Sequence, residues 1–577
     1  MKLSLGLRAL QVRASIAALA ALLASGPAAS APYLGPNTTR ADAARLIAQA
    51  SFGPTFAIPS GSPGDEVTRV AALGVTAYLN EQFGAPPTHY SGFSYISETP
   101  SATCQPGTVC YRDNYTIFQI QRQFFQKAVT APDQLRQRVA YALSQLLVVS
   151  ANKVPRAYGM QDYQNLLIDN AFGNYKDILT KVTLHPEMGR YLDMVNNDKG
   201  NAANGTKPNE NYARELMQLF SIGLYKLNLD GSIDLSAGAP QPTNDLAVVD
   251  GFAAALTGWT YPTIAGATPS TGHNPVNYAG QMEPRPALHD SASVKHLLNG
   301  ASIAGGGTPQ SDLAAAINNL FSHPNVGPFV SKRLILALVT SNPSGQYVSR
   351  VATVFNDDGT PQHVRGNMKA VISAILTDPE ARGDSSADPM FGHLRDPGLF
   401  LASSMRALIG GQAGSTGLND GVYLRAVSAN LGEDIYDPPS VFNFYPPAYP
   451  LPGGPPGSSG PEFAIVDAAT MVNRINVVER LLYGGIVAPD ATVTGSTGTR
   501  ADLSTLVPIA NQGGNATVLV DTLGTALVGG WVSPTQAPAA RSTILSAVNA
   551  VPSSNAMGRV QLAFYLILAS GQYQAER

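Results

Sequence analysis

Cysteine is nearly absent from this chain: 577 residues hold only Cys104 and Cys110. They stand in TCQPGTVC, where Pro106 and Gly107 suggest a tight turn between them. One close pair reads as a small disulfide loop, with a free thiol pair or half a metal site as the alternatives. A ring that short closes little chain entropy, so it stiffens a loop rather than holding a fold. Charge is scarce as well. Charged residues make up 13% of the chain and the net charge is -3, with no basic block. That leaves no electrostatic footprint for a nucleic-acid partner.

Other absences narrow the chemistry. There is no G-x-S-x-G elbow, no phosphate-cradling G-x-x-x-x-G-K-[ST] loop, no H-E-x-x-H and no C-x-x-C. The eight histidines are scattered, and nothing in the sequence names a metal or a cofactor. Asn228–Asp234 (NLDGSID) lacks the spacing and closing glutamate of a calcium loop, and reads as a glycine-centred turn. The longest candidate span, Ala14–Ala24 (ASIAALAALLA), is too short to cross a bilayer.

That run instead fits a secretory signal over residues 1–30. Lys2, Arg8 and Arg13 supply the positive start, and cleavage after Ser30 puts Ala28 and Ser30 at the small-residue positions before the cut. The alternative is a short membrane anchor. Export implies a periplasmic or secreted protein without a stable membrane span. The hydrophobic content of 44% is enough for a sizeable core.

Strand alternation is scarce and helical periodicity recurs along the whole chain, so the expected fold is mainly α. The many glycines and prolines, 55 and 43, place long loops between the helices. The expected organisation is a helical core over 31–485 and a C-terminal helical segment, 486–577, packed on the same domain. Predicted helices include 113–150, broken near Pro132, and 161–182, 209–225, 462–483 and 500–511. His185, His323, Asp378 and Asp396 each precede proline and then a helical segment. Proline suits the first helical position and extends the residue before it, so these four read as helix caps.

The densest polar stretch is Asn209–Tyr225, NENYARELMQLFSIGLY. On a helical wheel Asn211, Arg214, Glu215, Gln218 and Ser221 form one arc with Glu210. Tyr212, Ala213, Leu216, Met217, Leu219 and Phe220 fill the other. Glu210 and Glu215 point about 140° apart, so they do not make a facing acid/base pair. Glu210 can pair with Arg214, and Asn211 with Glu215. A second carboxylate or base must come from another segment. The candidate is LHDSASVKHLLNG, with His289, Asp290 and Lys295.

Asn209–Gly223 closely resembles the central signature of the bacterial family called domain of unknown function 1800. Other blocks agree in order: LIAQASFGPT (46–55), LTGWT (256–260), HDSASVKHLLNG, HPNVGPFVSKRLILALV (323–339), DPPSVFNFYPP (437–447) and LASGQYQ (568–574). Two positions depart from the pattern. Val248 and Ala254 stand at the places where the helix before LTGW usually has an Asp-Val pair and an arginine, with Asp250 nearby. The later block has FNFY where Gly-Trp is usual. The resemblance implies an exported, mostly helical protein and carries no reaction with it.

These readings lead to an extracytoplasmic hydrolase or lyase acting on a glycan or other polymer. Glu210, Glu215, His289 and Asp290 are its candidate catalytic groups. Asn209, Asn211, Tyr212, Arg214 and Lys295 are its candidate substrate contacts. The alternative is a non-catalytic binding or assembly protein of the cell envelope, in which the signature helix is a structural network.

Overall fold

The structure is a computed structural model. It describes residues 38–56, 65–201, 203, 205–383, 388, 390–409 and 419–577, so the proposed signal segment 1–30 lies outside the described residues. The fold is mainly α. The helices used below are α1 (Arg40–Ala50), α2 (Phe118–Thr130), α3 (Gln134–Leu146), α4 (Ala157–Asn170), α5 (Tyr175–Thr183), α6 (Asn211–Gln218), α7 (Leu246–Ala255), α8 (Pro309–Phe321), α9 (Val326–Leu338), α10 (Pro397–Ala407), α11 (Ala468–Tyr483), α12 (Thr517–Val528) and α13 (Ala556–Leu568). The strands form two-residue antiparallel ladders, registered Trp259 to Pro284, Lys295 to Ile303 and His393 to Glu576. Among the described residues no helix is long and apolar enough to cross a membrane.

Local chemistry sets the helix ends. The break near Pro132 separates α2 from α3. The expected helix 161–182 is two helices, because Asn174 caps a new start at α5 by accepting the Lys176 N–H. The expected helix 500–511 is a 3-10 turn over Ser504–Ile509, with Pro508 inside it removing an α-helical donor. All four His/Asp-Pro residues act at helix starts. His185, Asp378 and Asp396 accept from Glu187, Glu380 and Leu399 N–H. His323 accepts from Asn325 N–H, one residue ahead of α9. Cys104 and Cys110 are disulfide-bonded with Cα atoms 5.1 Å apart.

One apolar core runs from Ala43 in α1 to Tyr573 near the C-terminus. α1 packs on α12, and the rings of Phe56 and Phe564 meet edge to face at 5.7 Å. α3 crosses this core against α9, and α10 packs on α2. The last ladder places Glu576 beside His393, next to the start of α10.

Candidate functional site

The signature helix is amphipathic as its pattern requires. Tyr212, Ala213, Leu216, Met217 and Phe220 are buried, while Arg214 is exposed and Asn211, Glu215 and Gln218 are half-buried. It is shorter than the expected 209–225. After Gln218 the turns widen, with Phe220 N–H on Glu215 O and Ile222 N–H on Met217 O. Ser221 Oγ takes the Leu216 carbonyl, and Gly223, at φ 73°, closes the end by donating to Met217 O. Asn209 Oδ1 accepts the Asn211 N–H at 2.9 Å and starts the helix.

The side chains of this helix go to several places. Glu210 and Arg214 form the expected pair, 2.7 Å apart and in solvent. Asn211 turns to Asp193 at 3.4 Å rather than to Glu215. Tyr212 is buried with its hydroxyl 2.7 Å from Thr183 Oγ1. Glu215 is half-buried, and burial raises its pKa against the pull of Arg214. One of its oxygens has no hydrogen-bond partner.

The HDSASVKH block packs on α7 through Lys295–His296; Ser291–Val294 and His296 are exposed, while His289 and Lys295 are buried. His289 is fully buried: Nδ1 lies 2.9 Å from the Thr257 carbonyl and Nε2 3.1 Å from Asp312 Oδ2. Lys295 is buried too and reaches the same Asp312 oxygen at 3.0 Å. Asp290 does not face His289. It accepts from Ala292 N–H, Ser293 N–H and Ser293 Oγ within its own turn. Burial opposes ionisation of Asp290, but these donors hold its pKa below the usual value. Among the described residues no hydrogen bond joins residues 209–215 to His289, Asp290 or Lys295.

A different set of side chains converges on a pocket. α3 contributes Gln145, α9 Arg333, the strand residue His393 and the α10 cap Asp396 line it, and Asn443, Tyr445 and Glu462 complete the polar wall. The empty space, counting its open mouth, is about 520 Å³. An adjoining small pocket shares Gln145 and Asn443 and reaches Tyr141 and Glu433. Asn443 is held left-handed at φ 67°, a conformation asparagine tolerates better than most residues.

Asp396 does two jobs. Its Oδ1 caps α10 by accepting Leu399 N–H at 2.7 Å. Its Oδ2 accepts from Tyr141 at 3.1 Å, Gln145 at 3.0 Å and Tyr445 at 3.1 Å. Tyr141 also lies 2.9 Å from Glu433 Oε1, while Glu433 Oε2 accepts Gly398 N–H at 2.9 Å. A phenol has one proton and cannot donate to both carboxyls. Burial first, and the Asp396 charge second, push Glu433 well above the usual carboxyl range. The consistent arrangement is a relay in which Glu433 O–H donates to Tyr141, and Tyr141 donates to Asp396. Glycine at 398 makes room for it, since a Cβ there would stand 2.8 Å from the Tyr141 oxygen.

Behind the pocket, His393 lies between Glu462 at 3.5 Å and Glu576 at 3.7 Å. Burial pulls its pKa down, but the two carboxylates outweigh it and hold it up to about 9. Arg333 differs from its neighbours. It is partly buried, lines the pocket and donates no hydrogen bond among the described residues. Burial lowers it to about 10, and the groups close enough to raise it are the Tyr175 and Tyr445 phenols. Tyr175 in turn donates to the Phe220 carbonyl at 2.6 Å, so the end of the signature segment supports the Arg333 side of the pocket.

Sequence reasoning passed over Tyr141, Gln145, Arg333, His393, Glu433, Tyr445 and Glu462, and saw only the capping half of Asp396. A usable signal existed. HPNVGPFVSKRLILALV carries Arg333, DPPSVFNFYPP carries Asn443 and Tyr445, and LASGQYQ ends two residues before Glu576. The first two blocks meet at the cavity, and Glu576 is tied to it only through His393.

Residues 45–575 match the family described as "Protein of unknown function (DUF1800)", nearly the whole described chain. The protein belongs to that family. Neither the curated proteins nor the solved structures contain a match to it.

Proposed function

We propose that this protein is an extracytoplasmic enzyme that cleaves a glycan or other polymer by acid–base chemistry, as a hydrolase or lyase, in the Asp396 pocket. The observation that carries this reading is the Glu433–Tyr141–Asp396 relay opening onto the cavity through Tyr445. Paired carboxyls whose surroundings push their proton affinities apart are the usual means of acid and base work near neutral pH. Tyr141 fills the space between the two, so they do not flank a bond from opposite sides.

In hydrolysis Asp396 takes a proton from the attacking water as the new C–O bond forms. Tyr445 gives its proton to the departing oxygen as the old C–O bond breaks, and Asp396 then returns a proton to Tyr445. The Tyr141–Glu433 pair holds a further proton behind them. Export rests on the N-terminal sequence.

The test is a screen of the purified mature protein against envelope and environmental polysaccharides, beside D396N and Y445F. Product from the wild type and none from either variant supports the reading. Full activity in both variants refutes it. The non-catalytic alternative is favoured by the enclosed His289–Asp312–Lys295 network, which suits a structural role for that block.

A further inference from the structure

An unpaired cation in a partly buried wall needs an explanation. Removing a charge from water costs several kcal/mol unless a partner compensates. Several other arginines in this protein have such partners: Arg395 approaches Glu576, Arg406 reaches Glu66 and two carbonyls, and Arg350 holds Asp378 through two bonds. Arg333 donates no hydrogen bond and pairs with no carboxylate among the described residues, and it faces the cavity instead.

The pocket wall carries both signs of charge: Arg333, and the carboxyls of Asp396 and Glu462, the latter engaged by His393. Tyr445 connects them electrostatically, because its hydroxyl donates to Asp396 at 3.1 Å and it lies close enough to Arg333 to raise its pKa. Gln145 and Asn443 add amides to the same wall. An anionic group of a ligand seated here would meet Arg333 in the same cavity that holds Tyr445. A planar guanidinium with its donors free matches a carboxylate through two parallel hydrogen bonds.

We infer that Arg333 is the receptor for a substrate carboxylate, so that the polymer cleaved is an acidic glycan with a uronate next to the scissile bond. This rests on the catalytic reading above for the word substrate, and on Arg333 alone for the carboxylate.

The test is calorimetric titration of the mature protein with galacturonate and glucuronate oligosaccharides, their methyl esters, and neutral and sulfated oligosaccharides of the same length. At least one free uronate ligand is expected to bind about tenfold or more tighter than its ester. R333Q is expected to remove that difference, and R333K to restore part of it. The ester comparison alters only the ligand, so it holds even if an arginine variant fails to fold. Equal affinity for acid and ester overturns the inference. So does tighter binding of the sulfated ligand, or a preference for the acid that survives in R333Q. Turnover separates the two claims. Arg333-dependent uronate binding without product overturns the enzyme reading and leaves this one standing. Product that is lost in D396N, with acid and ester bound alike, does the reverse.

Discussion

The Tyr445 hydroxyl donates to Asp396 Oδ2 at 3.1 Å, joining a loop side chain at the pocket to a carboxylate that also starts a helix. The helix cap fixes where the carboxylate is. The loop hydroxyl brings its chemistry to the cavity surface.

Replacing Asp396 by asparagine tests that division. Asparagine can keep the helix cap with its oxygen, but its NH2 then replaces the oxygen that accepts from Gln145 and two tyrosines, so D396N is expected to lose about 1–3 kcal/mol of stability. Its turnover is expected to fall about 10²–10⁴-fold, the usual contribution of a positioned acid or base. Thermal melting and kcat on the identified substrate check both halves.

Glu433 gives a pH signature. Its folded pKa is raised, so its contribution to stability is present below the unfolded carboxyl value and is lost as pH rises. E433Q imitates the protonated form and can still donate to Tyr141. The variant is expected to match the wild type at pH 4–5, about the ordinary carboxyl range. It is expected to become the more stable of the two above it, in urea unfolding across pH.

His393 titrates in another window. Its pKa rises from 6.5 to about 9 on folding. The stabilisation is complete below pH 6.5 and is lost as pH passes through about 9, by at most about 1.4 kcal/mol per pH unit. H393Q is expected to flatten this slope, read from denaturant midpoints between these two pH values.

The buried and exposed ion pairs should differ in weight. D312A leaves Lys295 and His289 enclosed without their shared carboxylate, and is expected to cost about 3–5 kcal/mol. R214A removes a solvated pair four residues apart on α6, and is expected to cost about 0.3–0.5 kcal/mol. Chemical denaturation of the two variants side by side measures both.

Helical class, the split at Pro132, the four caps before proline and the buried face of the signature helix were all legible in the sequence. Each depends on neighbours within a turn or two: a cap reaches its own first turn, and an apolar stripe repeats every few residues. The disulfide was legible for the same reason, with its ends six positions apart.

The tertiary structure decided the rest. Asp396 lies 255 residues from Tyr141 and 49 from Tyr445, and Glu576 reaches His393 through the last ladder of the chain. No local period records such meetings. The crowded polar stretch Asn209–Glu215 drew the eye because its groups are adjacent in sequence, yet packing sent Tyr212 inward and left Glu210 and Arg214 in water. His289 and Asp290 are neighbours whose side chains serve different partners. Sequence alone determined the apolar faces of the helices and the helix starts that precede proline. Which buried carboxyl must share its proton, and which arginine is left without a partner, depended on how distant helices close over one another, because desolvation and pairing are properties of the assembled interior.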